Sequence, residues 1–153
     1  MNLSMPRPCH LPLLLLSLAL LGFPAFAAEE AQVSMQAVQA SEQGQNAEKP
    51  EIDASLSAYS DLLKNQGFGK YKDIGKDSGA GAAGAAIKLS AGGYAVEITV
   101  VKAGKKGATL KYVIKQAGKE IGQSTITLAP GEATPVQVGN QKSPVILLFK
   151  LER

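Results

Sequence analysis

Asp73 and Asp77 are the side chains best suited to acid-base chemistry in this sequence, because a pair of carboxylates is all that glycosidic hydrolysis demands. The two meet only if their loop folds inward. With no tryptophan and few aromatic residues, the chain also lacks the platforms on which sugar-cleaving sites hold substrate. A carboxylate-only hydrolase therefore ranks third among the functional expectations. A second pattern, Gly79-Ala80-Gly81-Ala82-Ala83-Gly84, satisfies Gly-x-Gly-x-x-Gly. Dinucleotide binding needs a strand before that motif, a helix after it to hold the pyrophosphate, and an acid about 20 residues on at a strand end. The stretch from Gly84 to Gly92 is too short for such a helix and the nearest acid, Glu97, falls in mid-strand, so a flexible Gly/Ala loop is expected instead. Gly69 and Gly75-Lys76 miss phosphate-loop spacing by one residue, and Asp77 stands where Ser or Thr would bind magnesium.

The single cysteine and single histidine, Cys9 and His10, lie within the first 27 residues. Beyond them, thiol and imidazole chemistry is excluded: disulfides, Ser-His-Asp and Cys-His catalysis, and zinc, haem or copper sites. The chain is therefore read as a non-enzyme, with no catalytic, cofactor-binding or metal-binding residue and no cofactor. The chemistry that remains is cationic. Lys102, Lys105 and Lys106 crowd one turn, while Lys111 and Lys115 share a strand face, together a candidate face for an anionic partner. Nucleic acid is not the expected partner, since Arg153 is the one arginine beyond residue 27 and few rings are available to stack on bases.

These residues sit in a chain of 153 residues with formal charge +3, and its parts differ sharply. Residues 1–27 have the layout of a secretory signal: a short basic start with Arg7, an apolar run from Leu11 to Leu21, and Ala25 and Ala27 before the expected cut. That run is too short to span a bilayer, so the expectation is an exported, periplasmic or extracellular protein without a transmembrane segment in its mature chain. Residues 28–50 are poor in large apolar side chains and are expected to be an acidic, largely flexible lead, with a short strand at 32–39 as its one candidate element. Residues 51–153 are expected to hold a helix and a β-domain. Leu56, Tyr59, Leu62 and Leu63 form a helical stripe over 53–65, with Asp53 as its cap and Gly67 beyond its end.

From Tyr71 onward, turn signals recur every 8 to 12 residues, which is the punctuation of short strands. Strands are expected at 71–74, 86–90, 94–102, 109–115, 120–128, 133–138 and 145–149. Pro135 cannot donate to a ladder and marks 133–138 as an edge. The last segment is apolar at both parities, as in a strand covered on both faces. The fold class is thus mainly β: a small antiparallel β-sandwich or open barrel of six to eight strands with one N-terminal helix. The expected core is Leu56, Leu62, Val96, Ile98, Val100, Leu110, Tyr112, Ile114, Ile126, Leu128, Val138, Val145, Leu147 and Phe149.

The strand at 33–41, the helix at 53–65, Tyr71 and the aliphatic strand at 145–149 occur in an order that resembles uncharacterised exported small β-domain proteins of Gram-negative bacteria. That resemblance implies a periplasmic or surface location, and it transfers no functional residue. Charge is uneven along the chain: Glu29 to Asp61 holds seven acids and one base, −6, and Leu62 to Arg153 holds fourteen bases and six acids, +8. The leading expectation is a non-catalytic periplasmic or secreted β-domain that binds an envelope protein or an anionic envelope component. It would do so by the lysine-bearing face or by adding a partner strand to the edge at 133–138. The alternative is a small carrier of an apolar ligand held between helix and sheet.

Overall fold

The computed structural model describes residues 29–152, so the signal read at 1–27 lies outside the described residues. In chain order the elements are β1 (Glu30–Gln43), β2 (Glu51–Ile52), a 3-10 turn (Ala54–Tyr59), α1 (Ser60–Lys64), β3 (Phe68–Ala82), β4 (Ala86–Ala91), β5 (Tyr94–Gly104), β6 (Gly107–Gln116), β7 (Lys119–Leu128), β8 (Ala133–Val138) and β9 (Val145–Leu151). They form a β-sandwich. The first sheet has the order β2-β3-β1-β9-β8 and the second β4-β5-β6-β7. All pairs are antiparallel except β2 with β3. Among the described residues this is nine strands, and the helical segment follows β1 and β2, so it is not N-terminal as expected.

Two cores flank the first sheet. Val33, Met35 and Ala37 of β1 and Val145, Leu147 and Phe149 of β9 face the second sheet, where Val96, Ile98, Val100, Leu110, Tyr112 and Ile114 meet them. Phe149 stacks on Tyr112 with ring centroids 5.4 Å apart. On the opposite face, Val38, Ala40, Ile146 and Leu148 are covered by Leu56 and Leu63 of the helical segment together with Phe68 and Tyr71. The double parity of 145–149 thus reflects a strand buried on both sides, as the sequence indicates. Burial raises the Tyr71 hydroxyl above its ordinary pKa, although the Phe68 N–H that it accepts acts the other way.

Three expectations need correcting. Most of 28–50 is not a flexible lead: Glu30–Gln43 is a fourteen-residue strand between β3 and β9. Small residues serve there, because Ala31, Ala37 and Ala40 are fully buried between close neighbours. The Gly/Ala run at 79–84 is not a flexible loop either, since its first four residues complete the fifteen-residue β3. A Cβ on Gly79 would lie 2.6 Å from Cγ2 of Ile87, so glycine is what lets β4 fold back onto β3. The helix over 53–65 is a 3-10 turn followed by five α-helical residues, without a side-chain cap from Asp53. The Asp53 carboxylate instead accepts the Asp73 N–H at 2.9 Å, tying the helical segment to β3.

Candidate functional site: the lysine-bearing face of the second sheet

The carboxylate pair does not assemble. A bulge places Ile74 between the pairs Val38–Asp73 and Ala37–Gly75, and it turns Asp73 and Asp77 to opposite faces of β3. Each acid is occupied as an acceptor. Asp73 takes bonds from Gln36 Nε2 at 3.0 Å, Ser55 Oγ at 2.8 Å and its own strand's Gly75 N–H at 3.1 Å. Asp77 accepts the N–H of Ser78 at 2.8 Å and of Ser90 at 2.9 Å, the latter linking the two sheets. The stripe that suggested an apolar-ligand carrier is used in packing: Leu56 and Leu63 are fully buried, and Tyr59 and Leu62 pack against them half-buried. The edge strand at 133–138 is present as β8, at one side of the first sheet.

The five predicted lysines all belong to the second sheet, where they occupy two adjoining places. Lys105 and Lys106 form the two-residue turn between the paired Gly104 and Gly107. With Lys102 and Thr109 they line a shallow groove of about 350 Å³ whose floor carries Thr109 and Thr127, hydroxyls 3.3 Å apart. Lys111 and Lys115 lie farther along β6 on the outer face, because Leu110, Tyr112 and Ile114 take the inner one. Lys111 is flanked across the sheet by Thr99 and Thr125, and Lys115 by Ala95 and Glu120. Among the described residues none of the five is in an ion pair. Val101, which alternates outward after the buried Val100 at a bulge beside this cluster, is 56% exposed.

Topology sorts the charge by sheet. Residues 86–128, which make the second sheet, carry seven lysines and two acids, net +5; the other described residues carry seven lysines and eleven acids, net −4. The run-by-run split of the sequence blurred this, because β3 and β9 lie in its basic half yet return to the first sheet. The acidic start does approach the basic turn: Glu29, Glu30 and Lys105 share a second hollow, without an ion pair among them. Glu152 is held below its usual pKa by the Ser34 hydroxyl at 2.7 Å and by Lys150 at 3.2 Å.

No protein-family model, curated protein or solved structure matches this chain. Among the described residues no helix is long and apolar enough to cross a membrane.

A feature that sequence reasoning missed lies at the opposite side of the sandwich from the β3–β4 connection. There β7 and β8 are the free edges of their sheets, and a cleft of about 330 Å³ opens between them, lined by Tyr112, Ile114, Ile121, Gly122, Val136 and Val138. A Cβ on Gly122 would meet nothing within 4 Å. The available signal was Gly122, which interrupts the inward parity of β7 where a core side chain would otherwise stand.

Proposed function

We propose that this protein is a non-catalytic, exported β-sandwich that docks onto the anionic head-group layer of an envelope membrane through the outer face of its second sheet. The observation that carries this reading is the sorting of charge by sheet, +5 against −4, with unpaired lysines gathered at the β5–β6 turn. Clustered phosphates attract such a face over a Debye length of about 8 Å at physiological salt. The exposed Val101 beside Lys102 adds an apolar group at the depth where a membrane-bound protein meets acyl chains. The reading also needs no side-chain chemistry beyond what the chain has.

Each lysine near an anionic surface contributes about 1 kcal/mol. Replacing Lys102, Lys105 and Lys106 together by Ala should therefore weaken binding by roughly a hundredfold. Co-sedimentation with vesicles rich in anionic phospholipid should show binding that neutral vesicles lack and that about 1 M salt abolishes, where the Debye length is ~3 Å. A triple change at Lys64, Lys70 and Lys72, none of them on the second sheet, should leave it intact. Equal loss in both triple variants would contradict the assignment of the face, and binding to soluble polyphosphate without binding to vesicles would contradict the membrane.

A further inference from the structure

The free edges of the sandwich are not protected alike. Beyond its short pairing with β2, β3 exposes an edge bearing Lys72, Asp73, Lys76 and Asp77; β8 is six residues long and contains Pro135; β4 is also six residues long and carries Lys88. Charge, proline and shortness are among the devices by which sheet edges avoid pairing with other chains, as is a bulge, which β7 carries only at its start. β7 has none of them over most of its length. It is ten residues long, its charges are confined to Lys119 and Glu120, and Ile121–Leu128 is an uncharged, proline-free run rich in β-branched residues. Its start is set by the two-residue turn Ala117-Gly118, at φ 50° and 78°, a hairpin geometry that fixes register. A bulge next to that turn leaves Ile121 43% exposed.

We propose that this chain pairs with a second copy of itself through β7, edge to edge and antiparallel, with the two-fold axis at Ser124. The segment itself selects the occupant. The stretch from Ile121 to Thr127 is uncharged and centred on Ser124, so pairing about that residue sets Gln123 against Thr125, Gly122 against Ile126 and Ile121 against Thr127 of the second copy. The pairs Gln123–Thr125 and Gly122–Ile126 join residues of like orientation, which keeps inward side chains inward and outward ones outward, while Ile121 stands in the bulge where the regular ladder ends. Ile126, half-buried on the inner side of β7, would then stand across from Gly122, where there is open space. An extended segment of another protein could use the same backbone groups, but this pattern of large against small residues is complementary to itself.

The consequence for the second sheet is geometric. A two-fold axis normal to the sheet makes one eight-stranded sheet whose two outer faces are continuous, and β6 lies three strand spacings, about 14 Å, from its symmetry mate. The lysine-bearing faces of both copies thus point the same way. Two faces of net +5 repel one another, so salt should favour the dimer. On the membrane reading given above, a polyanionic surface should favour it too, and by reciprocity the dimer should bind that surface more tightly. This reinforcement rests on the membrane reading, whereas the pairing itself does not.

The test uses the axis. Ser124→Lys and Ser124→Glu each place like charges face to face at the two-fold, and mixing the two variants places opposite charges there. In sedimentation velocity, the unaltered protein should form dimers whose population rises with concentration and salt; each variant alone should run as a monomer, and an equimolar mixture should recover the dimer. Far-ultraviolet circular dichroism and a cooperative melt would show that both variants fold; if either misfolds, Thr125→Lys and Thr125→Glu, one residue from the axis on the outer face, replace them with the same expectation. A protein that stays monomeric at high salt and high concentration overturns the proposal, as does a dimer that persists in both single variants. A monomer that still binds anionic vesicles would overturn the pairing and leave the membrane reading standing, while a dimer indifferent to vesicles would do the reverse.

Discussion

The two sheets of this sandwich solve opposite problems. The first is covered on both faces where β1 and β9 run under the helical segment, so Val38, Ala40, Ile146 and Leu148 are buried on one side and Val33, Met35, Leu147 and Phe149 on the other. The second is covered on one face only, and lysine and threonine are the commonest residues on its outer face. A strand buried on both sides has little freedom to vary, while one with a solvated face can carry charge at almost no cost to the fold. On the proposed reading that difference separates stability from recognition: the first sheet is buried on both faces, and the second turns its outer face to a partner.

That comparison breaks most visibly in the shared core. Phe149→Ala removes a fully buried ring that stacks on Tyr112 and should destabilise the protein by about 3–5 kcal/mol in urea unfolding. In the second core, Leu63→Ala should cost about 2–5 kcal/mol. Its effect should include loss of the Tyr71 ring environment in near-ultraviolet circular dichroism, because Tyr71 donates its hydroxyl proton to the Leu63 carbonyl. Gly79→Ala forces a methyl group against Ile87 and should cost about 1–3 kcal/mol by overpacking, where a flexible loop would tolerate it freely. On the outer face of the second sheet, Lys105→Glu with Lys106→Glu should change stability by less than about 0.5 kcal/mol per site while abolishing vesicle binding. A melt shifted as far by the lysine changes as by Leu63→Ala would erase the distinction between the sheets.

The smallest effect is one of pH. Because Glu152 has a lower pKa folded than unfolded, its bonds to Ser34 and Lys150 contribute stability above the ordinary glutamate range, and that contribution is lost as pH falls through the lowered value. The group is well exposed, so the effect is slight. Stability of the unaltered protein and of Glu152→Gln, compared across acid pH, should differ near neutrality and converge at the acid end. A gap that widens as pH falls would have the wrong sign.

How far the sequence speaks for the fold depends on side-chain size. Strands with large alternating residues were legible: Val96, Ile98 and Val100, or Leu110, Tyr112 and Ile114, face inward as their parity requires. β1 was underestimated because alanine does much of its packing, and a composition count of large apolar groups takes such a stretch for a solvated lead. β3 was underestimated for the converse reason, since Gly75, Gly79 and Gly81 look like loop residues until Ile87 and Gly92 are seen lying against them. The lysines of the candidate face were visible as a cluster at one turn, yet their separation from the acids was not, because it depends on β3 and β9 crossing back to the first sheet. The free edge of β7 was likewise invisible, since which strands end a sheet is a property of topology.

The most direct test of recognition by the second sheet is a titration of the isotopically labelled protein with small anionic lipid bicelles, followed through its backbone amide resonances. Shifts and broadening should gather at the β5–β6 turn and along the outer residues of β6, around Val101, Lys102, Lys105, Lys106 and Lys111, and should vanish at about 1 M salt, where the Debye length is ~3 Å. Perturbations gathered instead on β1 and β3 of the first sheet, or none at all at low salt, would contradict it.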